Sequence, residues 1–315
     1  MSSSSILVSD DPDEFRAVIR PQNKEYLVSG RGQFSAVATQ VNFEYLWLQH
    51  LAEALPRAWH VELCNDRWGF GFVDGPTPWM VTKGVRLAPT ALAVFRPRSS
   101  AWHRSLGNSR IASLSLPTKI LVDAGVALCE NEPLSARNIN AMYPPQAAMA
   151  RLRQLHADTI RLAHHAPETL SAATVVRQLE ASIIEALIAC LKSGHPQEDR
   201  AATKRHTDIM NRLQAAVVQS RGHALHMSDL CQQIGVNERT LQACCQEQLG
   251  MSPKRYLLVR RMMTVRRRLR HADPDSSSVT GIATELGFWE LGRFAVQYKK
   301  LFGESPSQTL RAPVP

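Results

Sequence analysis

The sequence predicts an α+β protein in which a β-rich N-terminal domain and a helical segment precede an all-α C-terminal domain. Five of the six tryptophans, with frequent Gly and Pro, fall within residues 15–120, and Gly becomes rare while Ala and Leu become common over residues 145–192. From residue 204 onward the apolar spacing is helical throughout. Because separate runs of strands and helices are typical of α+β folds, we divide the chain into residues 1–140, 141–192, a linker at 193–203, and 204–315.

The N-terminal domain is predicted to be a β-sandwich or barrel. Short apolar runs with partial alternation are separated by turn residues, which is typical of antiparallel strands. The clearest runs are 36–41, 68–73, 91–95 and 111–116. One helix is expected to interrupt the strands near Asn42–Leu55.

Two amphipathic helices are predicted in the middle segment. The first pattern runs from Leu152 to Leu162 before Pro167, and the second runs from Val175 to Leu191. The second is apolar over a broader face than one neighbour covers, so it packs either on the β domain or on its copy in a dimer. The polar residues at 193–203 are expected to form a linker.

The C-terminal domain contains an internal repeat, in which residues 229–253 align with residues 281–306 after a one-residue slip. The matched residues are Gly235 with Gly287, Val236 with Phe288, and Ser252-Pro253 with Ser305-Pro306. A Gly at positive φ ends a helix abruptly, the apolar residue after it fills the gap between two helices, and Ser-Pro starts the next helix. Each copy is therefore predicted to be a helix-turn-helix unit.

An arginine-rich helix is predicted between the two copies, from Pro253 to Arg270. At 1.5 Å per residue it spans about 27 Å. Such a spacer sets two recognition helices about one DNA turn, ~34 Å, apart on one face of the duplex. Arginine runs usually form solvated faces, but a position between two DNA-binding units favours phosphate contact, which we assign to Lys254, Arg261 and Arg267.

Positive charge is concentrated in this same domain. Residues 203–315 hold 17 Lys and Arg against 9 Asp and Glu, whereas residues 1–202 hold 20 against 19. A basic domain beside a nearly neutral one indicates that only the basic domain meets a polyanion.

Length and composition indicate a globular protein of two domains outside the membrane. The chain has 315 residues, of which 44% are hydrophobic, and it contains no run of about 18 apolar residues. The N-terminus lacks the basic and apolar regions of a secretory signal, and the six cysteines include no CxxC pair. We therefore expect a cytoplasmic protein with reduced thiols and no metal.

Residues 204–312 resemble the AraC/XylS family of transcription regulators. The stretch from Ile282 to Arg311 is similar to the C-terminal motif of that family, and its Gly-Phe-Trp-Glu-Leu-Gly-Arg-Phe-Ala segment resembles the subgroup that contains the ethanolamine-operon activator. The resemblance implies a seven-helix bipartite DNA-binding domain. It also implies a cupin-like β domain that senses a small molecule, helices that mediate dimerisation, and contact with RNA polymerase.

The resemblance also implies which side chains face the DNA. The base-contacting positions are Arg239, Gln242 and Ala243 in the first unit and Arg293, Val296 and Gln297 in the second. Arg bonds guanine and Gln bonds adenine in the major groove, whereas Ala and Val offer only apolar contact. A phosphate is the alternative partner of Arg293. Lys299 and Lys300, one turn later, are expected to contact phosphates.

Six aromatic residues of the β domain are candidates for an effector pocket: Trp68, Phe70, Phe72, Trp79, Phe95 and Trp102. Aromatic side chains line ligand cavities, but they more often belong to the ordinary core. His60 and His103 do not make a metal-cupin ligand set, because the His-x-His pair is absent. Catalytic and dinucleotide-binding motifs are also absent, so we expect no enzyme activity and no cofactor.

The function expected from the sequence is that of an effector-responsive activator of bacterial promoters. Its expected partners are double-stranded promoter DNA, RNA polymerase, a small-molecule effector and, in a dimer, a second copy of the chain. The alternatives are an effector-independent regulator or repressor, and a small-molecule-binding or enzymatic cupin domain fused to a DNA anchor.

Overall fold

The computed structural model describes residues 3–20, 23–63, 66–75, 80–125, 139–198, 201–220 and 225–312. The strands are β1 (Ser3–Ser9), β2 (Asn23–Val28), β3 (Ala36–Asn42), β4 (Trp47–Glu53), β5 (Arg57–Glu62), β6 (Arg67–Val73), β7 (Met80–Thr82), β8 (Val85–Arg86), β9 (Leu92–Phe95), β10 (Ser100–Ser105), β11 (Ser109–Pro117), β12 (Ile139–Tyr143) and β13 (His195–Glu198). The helices are α1 (Pro12–Val18), α2 (Thr118–Asp123), α3 (Gln146–His165), α4 (Ala173–Ser193), α5 (Ala201–Gln219), α6 (Met227–Ile234), α7 (Glu238–Leu249), α8 (Pro253–Arg270), α9 (Val279–Glu285), α10 (Leu291–Phe302) and α11 (Pro306–Arg311), with a 3₁₀ helix at Pro167–Ser171.

The N-terminal domain is a sandwich of two antiparallel sheets. The larger sheet has the order β1-β3-β4-β11-β6-β9-β12-β13, and the smaller has the order β2-β5-β10-β7-β8. Strands β3, β6, β9 and β11 coincide with the four predicted apolar runs, and in register Phe70 lies opposite Leu114. One core cluster joins Trp59 and Val61 of the smaller sheet to Ala93 and Ile111 of the larger. The predicted β-rich N-terminal half and the α+β class are confirmed.

The helix predicted near Asn42–Leu55 is wrong. The structure places strand β4 there, paired on one side with β3 and on the other with β11, so that Leu48 lies between Val41 and Leu114. The local pattern of apolar residues is compatible with either element. Pairing with two neighbouring strands decides it, because the strand propensity of a segment depends mostly on what it packs against.

Helix α4 packs on the sandwich, which is one of the two alternatives left by its broad apolar face. Ile183 and Leu187 of α4 share a core cluster with Leu152 of α3 and with Trp68 and Phe72 of β6. The buried carboxylate of Glu180 also accepts hydrogen bonds from the backbone amides of Tyr45 and Leu46, at 2.7 and 2.9 Å. Helix α4 is therefore an integral part of the N-terminal domain.

The polar stretch predicted as a linker is partly structured. Residues His195–Glu198 form β13, which pairs with β12 at the edge of the larger sheet, and α5 begins at Ala201. Pro196 is tolerated because β13 is an edge strand, where one backbone N–H is not needed for pairing.

The C-terminal domain consists of helices α5 to α11 around one apolar core. Leu213, Leu241, Val265, Phe294 and Leu310 belong to the same buried cluster, so both helix-turn-helix units share a core. Cys190, Cys231, Cys244 and Cys245 are free and buried, and burial raises the pKa of Cys244 to about 11. Among the described residues, no helix is long and apolar enough to cross a membrane.

Candidate nucleic-acid interface

The first helix-turn-helix unit consists of α6 and α7. Gly235 ends α6 at a φ of 68°, and the amide of Val236 then donates to the carbonyl oxygen of Cys231 at 3.0 Å. The side chain of Asn237 caps α7 by accepting from the amide of Thr240. Positive φ is costly for residues with a Cβ, so glycine is required at this abrupt turn.

The second unit, α9 and α10, repeats this geometry. Gly287 has a φ of 76°, and the amide of Phe288 donates to the carbonyl oxygen of Ala283 at 3.0 Å. Helix α10 lacks the side-chain cap of α7, since Glu290 occupies the N-cap without such a bond. The sequence repeat is therefore a structural repeat.

Helix α7 buries one face and exposes the other. Leu241, Cys244 and Cys245 point into the domain core. Arg239, Gln242 and Ala243 are all exposed, as their helical spacing requires when Leu241 and Cys245 face inward. The structure therefore places the three predicted base-contacting residues of the first unit on one solvent-facing side.

Helix α10 divides in the same way. Phe294 and Tyr298 are buried, whereas Arg293 and Val296 are exposed and Gln297 is half-buried. Lys299 and Lys300 are exposed near the C-terminal end of α10. When Leu241 is aligned with Phe294, Val296 matches Ala243, whereas Arg293 lies one residue beyond the counterpart of Arg239 and Gln297 lies two residues beyond that of Gln242.

The spacer helix α8 is built as predicted. The Ser252 side chain accepts from the amide of Arg255, and Pro253 occupies the first turn, where no donor is lost. The equivalent Ser305 makes a capping box with Gln308 at the start of α11. Both predicted Ser-Pro starts are therefore real helix starts.

The arginines of α8 have protein partners, which the sequence did not reveal. Arg266 and Arg270 both contact the Asp11 carboxylate, at 3.1 and 3.2 Å, and Arg267 bonds Asp13 at 2.7 Å. In this structure Arg267 pairs with a carboxylate of the N-terminal domain, and its contact with a phosphate stays a prediction.

Two further predicted phosphate contacts differ from each other. The Arg261 guanidinium lies over the Phe288 ring at 4.6 Å from its centroid, and burial lowers the pKa of Arg261. Lys254 is exposed. Arg261 therefore supports the turn of the second unit, whereas Lys254 remains available to a phosphate.

The carboxylates that pair with the arginines of α8 lie near the start of the chain and on β2. Burial opposes ionisation of Asp11, but Arg266, the Asp13 amide and Arg270 outweigh it and lower the pKa of Asp11. At Glu25, burial dominates and raises the pKa, although Arg260 lies 2.9 Å away and the Tyr256 hydroxyl donates to the carboxylate at 2.9 Å. The Asp-Pro pair at Asp11 indicates the start of α1, but it does not indicate that the carboxylate pairs with arginines of α8.

A cavity of about 100 Å³ lies between the two sheets of the N-terminal domain. Phe70 and Phe95 of the predicted pocket line it, together with Trp47, Trp59 and Arg20. Gly69 and Gly71 of β6 face it as well, and their missing side chains leave the space open.

The other predicted pocket residues lie elsewhere. Trp68 and Phe72 pack against α3 and α4 in the core cluster, on the face of β6 opposite to Gly69 and Gly71. Phe70 lies on that same face and in the same cluster, and it also borders the cavity. Trp102 packs against the C-terminal domain, and its ring meets that of Tyr256 edge-on. Trp79 falls outside the described residues.

Strand β10 connects the cavity with the C-terminal domain. His103 lines the cavity, whereas its neighbour Trp102 belongs to the core cluster of helices α5 to α11. Burial lowers the pKa of His103 to about 3, so this imidazole is neutral at pH 7. One strand thus separates the cavity from the DNA-binding half of the molecule.

Comparison with known proteins assigns the C-terminal domain. Residues 230–312 match a family model described as a helix-turn-helix domain. The chain is 45% identical over 87 residues to the probable thc operon regulatory protein of Rhodococcus erythropolis, covering 28% of this chain and 26% of that protein. It is 38% identical over 76 residues to the XylDLEGF operon transcriptional activator 1 of Pseudomonas putida, covering 24% and 23%. The matches therefore span about a quarter of the length of these relatives.

Solved structures resemble the chain more distantly. The superposition on the crystal structure of the AraC-like transcriptional activator CuxR covers 83% of this chain and 94% of the CuxR chain, at 15% identity and a TM-score of 0.39. The superposition on ToxT of Vibrio cholerae covers 85% of this chain and 98% of the ToxT chain, at 11% identity and a TM-score of 0.32. Neither superposition is close enough to carry an argument. Residues 230–312 therefore contain a helix-turn-helix domain that is similar to the corresponding part of these operon regulators.

Proposed function

We propose that this protein is a sequence-specific DNA-binding transcription regulator, and specifically an effector-responsive activator of bacterial promoters in the cytoplasm. The observation that carries the proposal is the exposed face of α7 and that of α10, which are the corresponding second helices of a repeated unit joined by α8. Two such helices enter successive turns of the major groove when a rigid spacer of about 27 Å holds them apart.

In this proposal the two stripes supply the base contacts. Arg239 and Gln242 of the first helix bond guanine and adenine edges, and Arg293 and Gln297 take these roles in the second. Lys254, Lys299 and Lys300 bond phosphates, which fix the register of the helices without selecting a sequence. The excess of positive charge in residues 203–315 favours this arrangement, since it attracts DNA before any base is read.

The sandwich cavity is the proposed effector site. It is lined mostly by apolar side chains, and the Arg20 guanidinium at its edge lies over the Trp47 ring at 5.2 Å from its centroid. Its volume limits the occupant to a small molecule. Strand β10 offers a direct route by which an occupant beside His103 alters the support of Trp102 and Tyr256. Regulation then occurs without catalysis, through recruitment of RNA polymerase, with a second copy of the chain as a further partner.

Binding of the full chain to random and selected duplexes tests the DNA-binding half of the proposal. Selection from a random-sequence library is followed by anisotropy titration at several salt concentrations, with unrelated duplex as the reference. Arg239→Ala and Arg293→Ala are each expected to cost about 1–3 kcal/mol and to relax the sequence preference. Arg205→Ala, which removes an exposed arginine of α5, is the matched control and leaves the preference intact. Equal affinity for selected and unrelated duplexes would overturn the proposal.

A cavity-filling variant tests the effector-responsive half. A Cβ on Gly71 meets its nearest atoms at 3.6 Å, which is ordinary contact, so Gly71→Ala is expected to fold while its methyl group narrows the cavity. In a reporter assay on the selected promoter, the variant is expected to keep DNA binding and lose the response to an inducing metabolite. An unchanged response would show that the effector binds elsewhere, and equal transcription with and without every metabolite would favour an effector-independent regulator.

A further inference from the structure

The two recognition helices differ in chemistry although they match in geometry. On α7 the exposed stripe contains the hydrogen-bonding side chains of Arg239 and Gln242. On α10 the equivalent stretch contains Gly292, which has no atom within 4 Å of the position a Cβ would take, and Val296. Neither Gly292 nor Val296 donates or accepts through its side chain.

Large apolar side chains nevertheless stand in solvent at this end of the second unit. Trp289, just before α10, is 77% exposed, which is the highest fraction among the large hydrophobic residues described, and Val296 is 69% exposed. Trp289 immediately follows Phe288, which is buried, so the turn directs successive aromatic residues to opposite sides. Single exposed apolar residues are ordinary, but in the proposed function this helix faces the major groove, so these two side chains offer apolar contacts to bases.

The charges around these two residues specify the partner. Arg293, Lys299 and Lys300 are exposed on the same helix, and the carboxylate of Glu290 lies 3.5 Å from Arg293. The net charge of this surface is therefore positive, as DNA requires. The apolar group that DNA presents in its major groove is the 5-methyl of thymine.

We propose that the second helix-turn-helix unit recognises its half-site through thymine 5-methyl groups, which pack against Val296 and Trp289. The inference rests on the proposed DNA-binding function and names the base that the second unit selects. Arg293 and Gln297 add hydrogen bonds beside this apolar contact, whereas the first unit depends mainly on hydrogen bonds from Arg239 and Gln242.

Replacement of thymine by deoxyuridine in the selected duplex tests the proposal, because it removes the methyl group and leaves base pairing unchanged. The α10 half-site is first identified as the one whose base changes lose their effect in Arg293→Ala. Deoxyuridine in that half-site is expected to weaken binding of the full chain about three- to five-fold per contacted thymine, the effect of burying one methyl group. Deoxyuridine in the α7 half-site is expected to have a smaller effect.

Protein variants complete the test. Val296→Ala and Trp289→Ala are expected to bind the thymine and deoxyuridine duplexes with nearly equal affinity, and Val218→Ala, which truncates an exposed valine of α5, keeps the difference. Absence of any selected duplex would contradict the DNA-binding function itself. A selected duplex whose α10 half-site tolerates deoxyuridine without loss would overturn only this inference. The inference would also be overturned if Trp289→Ala still bound the thymine duplex more tightly than the deoxyuridine duplex but lost self-association or polymerase-dependent transcription.

Discussion

Trp102 of the sandwich and Tyr256 of the spacer helix meet edge to face, with ring centroids 5.8 Å apart. Tyr256 is fully buried, and its hydroxyl donates to Glu25 of β2. The helix that holds the two recognition helices apart is therefore packed on the smaller sheet as well as on its own domain. Any conformational change in this sheet alters the support of the DNA-binding domain.

Asp11→Asn is expected to destabilise the folded protein by about 3 kcal/mol. The substitution removes the Asp11 carboxylate from Arg266 and Arg270 and leaves Arg266 only the Glu304 carboxylate at 3.4 Å, and a buried charge that loses its partner is costly. Asparagine also caps helices, so the lost free energy of unfolding measures the missing charge and not a weakened start of α1. Urea unfolding measures the difference, and Asp10→Asn at an exposed neighbour is the control. A loss as small as that of the control would show that the pair contributes little.

The same ion pair has a defined pH dependence. The pKa of Asp11 is lowered in the folded state from its ordinary 3.8, so its stabilising effect is complete above about pH 4 and is lost as the pH falls through the lowered value. Stability curves of the natural chain and Asp11→Asn are therefore expected to converge below pH 4. Parallel curves over this range would contradict the assignment.

His156 is expected to make the protein less stable as the pH falls from 6.5 to 4. Burial lowers its pKa to about 4, although its hydrogen bond to the Gln49 carbonyl oxygen acts in the opposite direction. The unfolded chain takes up a proton near pH 6.5 and the folded chain does not, so acid favours unfolding by roughly 2–3 kcal/mol. Urea unfolding at pH 7, 6 and 5 should show a shallower loss for His156→Gln. The exposed His195→Gln keeps the original slope.

Lys300→Ala is expected to weaken binding to all duplexes alike. Lys300 is exposed near the end of α10, where phosphate contact carries no sequence information. Loss of one phosphate contact lowers the slope of log affinity against log salt by about 1. Titrations at four salt concentrations measure the slope, and a sequence-dependent loss would assign Lys300 to a base instead.

Gly292→Gln is expected to change DNA preference without changing the fold. The open space around Gly292 accepts a side chain, so unfolding free energy should shift by less than about 0.5 kcal/mol. Glutamine adds a donor and an acceptor on the exposed side of α10, and these favour adenine at one position of its half-site. Repeating the random-sequence selection with this variant measures the change, and an identical selected sequence would show that position 292 does not face a base.

Much of the C-terminal domain was predictable because its determinants are local. Gly235, Gly287 and the two Ser-Pro starts act within one or two turns of chain, and the repeat showed that they belong together. The strand at β4 was missed because Leu48 is placed by partners on β3 and β11. The partner of Arg267 was missed for a related reason, since Asp13 lies 254 residues away.

The geometry of β6 explains why only some of the predicted pocket residues line the cavity. Periodicity places Trp68 and Phe72 on a single face of β6, but it does not say which face meets the opposing sheet and which meets α3 and α4. The glycines of β6 turned out to face the cavity, so the informative residues were those with no side chain. Only the pairing of the two sheets reveals this.

Strand β10 gives the protein a constraint on how it can change over evolution. Because His103 and Trp102 occupy successive positions, the proposed function implies that a substitution that reshapes the cavity for a new inducer also disturbs the support of Tyr256. We therefore expect inducer preference and promoter affinity to change together. A variant selected for a new small molecule will need a second substitution at the Trp102 contact before its original level of transcription returns.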